Sequence, residues 1–444
     1  MSSQYFNIFE QIIPCQHLRE YPRSTRTRQE DILKLAIKQY QPKSTNRPLD
    51  DAITIVATHA NGFPKEVYEP LWDDLIQLSG QFNFQIRNIW IADISNQGAS
   101  VGLSSPKHQY KLRLLNNISI DSYFDHSRDL LHMINIFREQ MPRPIIGIGH
   151  SFGATQLQVI PKLDWGLLTS GLSIMHPRLF TSLILMEPII QSLPPPGMNV
   201  AHPSSYRPDL WPSYSAASAA FKKNKFFAGL DSRVLENYLK YGIRRVPTAL
   251  YPVSETVKEG SYTLTTTKHQ EVWSFLRPNF EGSDPETSMN RVDRLRFPDI
   301  NPAQRGNLFY RPEVAIAQEY LIYLRPSVLF IFGAQSYLSA PERQDEKMKR
   351  AGSGLGGSGG AEAGEVEKYV FESLGHMAPL ENVKACARVM GEWMGKKMVQ
   401  FRADEKAIAK YDRQKSTNDM LAVSQKWLDL VKLPMPLKIK KSSL

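Results

Sequence analysis

Gly149-His150-Ser151-Phe152-Gly153 sets a serine between two glycines, directly after the apolar run Ile145-Ile146-Gly147-Ile148 and before a helical stretch. Where a buried strand turns sharply into a helix, the turn residue is forced into a strained backbone, and the flanking glycines avoid the clashes. The hydroxyl of such a serine stands exposed above the sheet edge, in position to attack a carbonyl. The pentapeptide alone is a weak signal; its place between strand and helix is what makes Ser151 the expected nucleophile. The plainer alternative is a glycine-rich turn that only lets strand and helix approach.

A serine hydroxyl is a poor nucleophile until a base takes its proton, so a histidine is expected on a loop after a later strand. Of ten histidines, His376 in Gly375-His376-Met377-Ala378-Pro379 has that position, after the run at 369–373. It also satisfies the chain order serine, acid, histidine. The turn after the run at 327–332 reads Gly333-Ala334-Gln335-Ser336-Tyr337 and holds no carboxylate, whereas Glu187 ends the preceding strand in Leu185-Met186-Glu187-Pro188. Glu187 is therefore the expected acid, with Glu342 and Asp345 as fallbacks. A carboxylate that only anchors a cap, or a weakened serine–histidine dyad, is the alternative.

Charge developing on the attacked oxygen needs donors aimed at it. The backbone N–H of Phe152, next after the serine, is one. The loop Thr58-His59-Ala60-Asn61-Gly62-Phe63-Pro64 is placed to supply the other, and Asn61 is preferred over Gly62 and Phe63. His59 and Gly62 have a second reading, as residues that only shape a tight turn.

These groups need a scaffold. The run at 33–40 nearly alternates and reads as a half-buried strand near a sheet edge, while 52–58, 84–91, 144–148, 179–186 and 327–332 read as buried strands, followed by 369–373. Between them, 123–140 carries Phe124, Leu130, Leu131, Met133, Ile134 and Phe137 on one helical face, and Pro142 stops it. Alternating strand and helix predict an α/β domain with a mostly parallel central sheet. From 191 to 312 the pattern is interrupted by Pro194-Pro195-Pro196-Gly197, helical stretches at 213–222 and 232–241, and turn-rich sequence. This predicts an inserted, largely helical cap. The expected organisation is core at 1–190, cap at 191–312, core again at 313–399 and a helical tail at 400–444. Residues 351–364, rich in Gly, Ser and Ala, are expected to form a flexible surface loop. In the tail, Trp427, Leu428 and Val431 are spaced to lay one apolar face against the core.

The 444 residues are 42% hydrophobic and 22% charged, the composition of a globular protein. Cys15 and Cys386 share no metal-ligand spacing, so neither a disulfide scaffold nor a metal site is expected. A balance of 54 basic to 44 acidic residues, +10, is too small to argue for nucleic acid without a basic helix or repeated module. It suits an anionic substrate or membrane face. No stretch reaches the roughly 18 continuous apolar residues of a transmembrane segment.

Taken together, residues 51–191 and 325–394 resemble the α/β-hydrolase superfamily. Asp93-Ile94-Ser95-Asn96-Gln97-Gly98-Ala99-Ser100 looks like the D-x-x-x-x-G-x-S loop common there and supports the same register. Within the superfamily the likeness is to fungal peroxisomal hydrolases, the yeast peroxisomal lipase and the hydrolases of Alternaria toxin clusters. It is carried by the G-H-S elbow, the Leu185-Met186-Glu187-Pro188 strand end, the missing carboxylate near Ser336 and a polar helical tail. The resemblance draws attention to the terminal Ser442-Ser443-Leu444, which is similar to a peroxisomal tripeptide address read by an import receptor, with Ser443 in place of the usual basic residue. The cytosol is the other location.

The expected activity is that of a serine hydrolase acting through an acyl-enzyme on an ester or thioester, with no cofactor implied. Epoxide hydrolases and haloalkane dehalogenases use a carboxylate at the elbow, and Ser151 argues against both. Trp211, Phe221, Phe226, Phe227 and Trp273 either offer an apolar acyl chain a binding surface or form the core of the cap. An acyl-CoA thioester would suit the basic surface and a peroxisome, and a role in fungal toxin metabolism is implied by the resemblance alone. A binding or scaffold protein on the same fold is the competing class, favoured by the missing acid.

Overall fold

A computed structural model describes residues 2–22, 24–25, 28–43, 47–102, 122–158, 173, 176–192, 199–280, 299–300, 306–413 and 415–432. Ser442, Ser443 and Leu444 lie outside the described residues. Two compact units divide the chain, Met1–Lys397 and Met398–Leu444.

In the first unit, strands β1 (Phe6–Pro14), β2 (Lys34–Pro42), β3 (Ile53–Thr58), β4 (Ile86–Ala92), β5 (Ile145–His150) and β6 (Ser182–Met186) precede the insertion. Short strands β7 (Leu210–Trp211), β8 (Ile243–Arg245), β9 (Tyr262–Leu264), β10 (Arg277–Pro278) and β11 (Phe309–Tyr310) lie within it, and β12 (Ser327–Gly333) and β13 (Val366–Phe371) follow. Among the described residues, one sheet runs in the order β1-β2-β4-β3-β5-β6-β12-β13. β1 pairs antiparallel with β2, and β2 with β4; every other pairing is parallel. All residues of β3, β5, β6 and β12 are buried, as a parallel sheet covered on both faces requires.

The strand expected near a sheet edge is β2, which is second from the edge, but it is mostly buried rather than half-buried. The edge is β1, in which Asn7, Phe9, Glu10, Ile12 and Pro14 are exposed and only Phe6 and Ile13 are buried. Helices α1 (Glu69–Ser79), α2 (Tyr123–Ile136) and α3 (Phe152–Gln158) connect the first strands. Ser122 and Asp125 form a reciprocal cap that starts α2, and Leu130, Met133 and Ile134 take its face into the core. The helix ends at Ile136, four residues before the expected stop, in a tighter turn over Arg138–Gln140.

Between β6 and β12 the helices α4 (Tyr214–Lys223), α5 (Ser232–Tyr241) and α6 (Lys268–Phe275) are joined by a small antiparallel sheet in the order β7-β9-β8. Strands of two and three residues carry too little periodicity to be read from sequence. Phe221, Phe227 and Tyr238 pack ring to ring at 4.7–5.2 Å with half-buried Trp211 beside them, so Phe221 and Phe227, two of the five candidate acyl-binding aromatics, form the interior of this segment. Phe226 and Trp273 remain exposed.

Helices α7 (Glu313–Tyr320), α8 (Pro341–Arg350) and α9 (Val383–Arg413) complete the fold. Gly391 and Gly395, one turn apart on α9, make room for Phe82; a Cβ at either would lie 2.6–2.7 Å from it. The glycine-rich stretch at 351–364 is not a loose loop. Backbone bonds from Gly352 to Leu321, Gly354 to Ile322 and Ser358 to Leu324 fasten it along the preceding turn, and Ala351 is fully buried.

The second unit contains the end of α9, then α10 (Thr417–Leu421) and α11 (Gln425–Leu430), capped by Ser416 and Ser424. Within this unit Trp427, Leu428 and Val431 are exposed. Among the described residues, no helix is long and apolar enough to cross a membrane.

Candidate active site

Ser151 is the turn residue between β5 and α3, with φ +56, and its N–H donates to Met186 O at 2.8 Å. The pentapeptide glycines are explained by contact. A Cβ at Gly149 would sit 2.6 Å from the Ala154 backbone, and one at Gly153 would sit 2.7 Å from His59 O. Any larger residue would push α3 off the sheet, so the strained turn and the close helix–strand packing have one cause.

Glu187 follows β6, also with a left-handed backbone, φ +50, which costs a non-glycine residue about 1–2 kcal/mol. That turn aims the carboxylate sideways, across the end of β12. Gly333 N–H donates to Oε1 at 2.6 Å, Ser336 Oγ to Oε2 at 2.6 Å, and Ser339 Oγ lies 3.0 Å from both oxygens. His376 Nδ1 lies 3.0 Å from Oε2 and His376 Nε2 lies 2.8 Å from Ser151 Oγ. An ionised carboxylate only accepts, so Nδ1 carries the proton and Nε2 offers its lone pair to the serine hydroxyl. The three side chains thus meet in one line, although they come from three different strand ends. Glu342 and Asp345 do not join them. Both are exposed on α8, and Asp345 pairs with Lys368 at 2.7 Å.

On the other side of the serine, the loop after β3 is held from three directions. Gly62 N–H donates to Gln97 Oε1 at 2.8 Å, and Gln97 Nε2 donates to Asn61 Oδ1 at 2.7 Å and to Ser274 Oγ at 3.1 Å. Asn61 Nδ2 donates to Glu271 O on α6 at 2.9 Å. His59 donates from Nδ1 to Ala60 O at 2.9 Å and accepts Ile94 N–H at Nε2, 3.1 Å. Phe63 N–H also reaches Ala60 O at 3.2 Å. Fixing the Ala60 carbonyl fixes the Asn61 N–H, which points the opposite way in the same trans peptide plane. Among the described residues, neither the Asn61 nor the Phe152 backbone N–H has an acceptor. These are the two donors expected from sequence, and Gly62 and Phe63 are already engaged. His59 has both nitrogens occupied, and burial pushes its pKa down, so it shapes the turn.

The Asp93 loop has the same economy. Its carboxylate accepts Lys65 N–H and Lys65 Nζ at 2.9 and 2.7 Å and Ala99 N–H at 2.8 Å. Burial pushes its pKa up, but Lys65 beside it outweighs that and holds it below the usual range. Gly98, φ +54, lies against it, and a Cβ there would meet the carboxyl at 2.3 Å. Sequence reading found this loop but missed Gln97 inside it, as it missed the roles of Ser336 and Ser339. For the serines the signal was present, since two hydroxyls stand where a carboxylate is usual.

No family model matches the chain. It is 40% identical to the type I acyl-CoA thioesterase mpaH' of Penicillium brevicompactum over 98% of this chain and 97% of that one. It is 38% identical to the type I acyl-CoA thioesterase mpaH of Penicillium roqueforti (strain FM164), over 98% and 97%. The abhydrolase domain-containing protein AKT2 of Alternaria alternata is 25% identical over 58% of this chain and 85% of its own. Among solved structures, the peroxisomal α/β-hydrolase Lpx1 of Saccharomyces cerevisiae superposes with a TM-score of 0.62 at 15% identity, covering 93% of this chain and 99% of that one. With a parallel sheet, a strand–turn–helix elbow and full-length relatives of this kind, the chain is a hydrolase and belongs to the α/β-hydrolase superfamily.

Proposed function

We propose that the chain is a serine thioesterase that hydrolyses an acyl-CoA. The observation that carries the reading is His376 standing 2.8 Å from Ser151 Oγ and 3.0 Å from Glu187. Ser151 Oγ attacks the thioester carbonyl while its proton passes to His376 Nε2, and Glu187 stabilises the imidazolium that forms. The oxyanion is held by the N–H groups of Asn61 and Phe152. Collapse of the tetrahedral adduct breaks the C–S bond, and His376 returns the proton to the departing CoA sulfur. Water, deprotonated by His376, then attacks the acyl–Ser151 ester, releasing the acid and restoring the serine.

The thioester, rather than an ordinary ester, is favoured by the full-length likeness to proteins named acyl-CoA thioesterases and by the excess of basic residues, which suits a polyanionic leaving group. The scaffold alternative rested on the missing acid after β12. The contact of Glu187 with His376 supports the hydrolase over that alternative. The terminal Ser442-Ser443-Leu444, with Lys438, Lys440 and Lys441 before it, supports delivery to peroxisomes by the import receptor.

The test is CoA-thiol release from a panel of acyl-CoAs against matched simple esters, with Ser151→Ala as control. Preference for the thioesters, abolished in the variant, is expected. Equal turnover of simple esters would reduce the reading to a general esterase. A fluorescent fusion carrying the natural tail, compared with one ending before Ser442, tests the location.

A further inference from the structure

His150 precedes the elbow serine, and its ring is fully buried beside that of His376, with centroids 5.6 Å apart. Its Nε2 lies 3.0 Å from the backbone oxygen of His376, and its Nδ1 lies 2.8 Å from the hydroxyl of Tyr68. That hydroxyl accepts the backbone N–H of Ala60 at 2.9 Å. Tyr68 and His150 are fully buried, and their rings stand edge to face with centroids 6.0 Å apart. We propose that Tyr68 and His150 are positioning residues that tie the backbone of His376 to the oxyanion loop, so that base and oxyanion donors keep one spacing through the reaction. The proposal rests on the serine-hydrolase reading of Ser151 and His376.

The polarity of the chain is forced. A carbonyl oxygen only accepts, so His150 Nε2 must carry the hydrogen that bonds His376 O. A neutral imidazole then has a lone pair on Nδ1, so the Tyr68 hydroxyl must donate to it. The phenol oxygen keeps a lone pair, which takes the Ala60 N–H. Each group has one possible role, and all donate in the same direction, from Ala60 through Tyr68 and His150 to His376. Burial and the nearby His376 push the His150 pKa down to about 3, which keeps the ring neutral across the working range. Burial likewise pushes the Tyr68 hydroxyl up, so it remains a donor.

The two ends of this chain are the two halves of the proposed chemistry. Ala60 is the residue before Asn61, and its own carbonyl is already held by His59, so the Tyr68 bond fixes the other side of the same residue. At the far end, the bond to His376 O fixes the backbone from which the imidazole reaches Ser151. The chain is a direct hydrogen-bonded path between the loop after β13 and the loop after β3, independent of Ser151 and substrate. Small displacements of a base or an oxyanion donor are costly to rate, because acyl transfer needs both at once.

The experiment is the second-order rate of labelling by a fluorophosphonate in the wild type, Tyr68→Phe, His150→Leu, the double variant and His150→Gln. Rates are read well below each protein's melting temperature. Labelling is expected to fall about 10- to 100-fold in either single variant, as loss of a buried partner implies. The double variant is expected within about twofold of the slower single one, because two links of one chain break it once. His150→Gln, which keeps a donor for the His376 oxygen, is expected to recover part of the loss relative to His150→Leu. Folded Tyr68→Phe labelling within about twofold of the wild type overturns the proposal. So does a double variant whose loss is the product of the two singles, which marks independent packing roles. If His150→Leu does not fold, Tyr68→Phe and His150→Gln decide the matter. A wild type that is folded but unlabelled overturns instead the hydrolase reading beneath the proposal, whatever Tyr68 does.

Discussion

The hydroxyl of Ser336 lies 2.6 Å from Oε2 of Glu187, the same oxygen that His376 Nδ1 approaches at 3.0 Å. A carboxylate on the turn after β12 is the commoner arrangement, and here that turn carries serine. The carboxylate that contacts His376 stands one strand inward, after β6. Ser336 and Ser339 on the turn after β12 donate to it, so the two turns are joined through one carboxylate.

Glu187→Gln should fold and lose activity. The neutral amide can place its NH2 donor against Nδ1 and carries no charge to stabilise an imidazolium, so kcat is expected to fall on the order of a thousandfold with KM little changed. Steady-state kinetics on the best substrate checks this. A loss of less than about tenfold would mean that Glu187 only anchors the turn.

Ser336→Ala removes one donor and leaves the carboxylate with Gly333, Ser339 and His376. Stability is expected to fall by about 1–2 kcal/mol and kcat by about tenfold. In the Glu187→Gln background, Ser336→Asp should restore part of the lost rate by supplying an acid from the commoner turn. No recovery would show that the backbone at 336 cannot aim a carboxylate at His376.

Gln97→Leu leaves Gly62 N–H and Asn61 Oδ1 without their partner in a buried loop. The expected result is a loss of about 2 kcal/mol in denaturant unfolding and about tenfold in kcat, with a smaller change in KM. Gln97→Glu keeps the acceptor for Gly62 but not the donor, and should fall between the two. An unchanged kcat in folded Gln97→Leu would separate this side chain from the oxyanion donors.

Stability should decline as the solution is acidified. Burial lowers the pKa of His126 and of His150 to about 3, against about 6.5 for an ordinary histidine. Between those values the unfolded chain binds protons that the folded chain refuses, so the stability these rings contribute is fully present above about pH 6.5 and drains away as pH falls toward 3. Melting temperatures from pH 7.5 to 5 measure the slope, and His126→Leu should flatten it. A slope unaltered in that variant would mean that His126 is not the neutral buried ring inferred here.

The parts of the site that were legible in the sequence are those whose geometry is local. Gly149, Ser151 and Gly153 are constrained by a single turn, and Glu187 and His376 by the strand ends they follow. Gln97 has no such mark. Its importance arises where the loop after β4, the loop after β3 and α6 converge, 36 residues from Asn61 and 177 from Ser274. The same holds for Tyr68 and His150, whose meaning lies in a pairing across 82 residues. In the fold, the buried parallel strands announced themselves by continuous apolar runs. β1 did not, because most of its residues face outward, and the glycine-rich stretch at 351–364 misled because composition reports chain freedom and not the hydrogen bonds that restrain it.

Whether Ser151 is an activated nucleophile is read by fluorophosphonate labelling of the purified protein, with the modified peptide mapped by mass spectrometry. One label per chain is expected, on Ser151, with acyl-CoA hydrolysis lost in step with labelling and no label on Ser151→Ala. A folded wild type that takes no label, or takes it on another serine while hydrolysis continues, would contradict that role for Ser151.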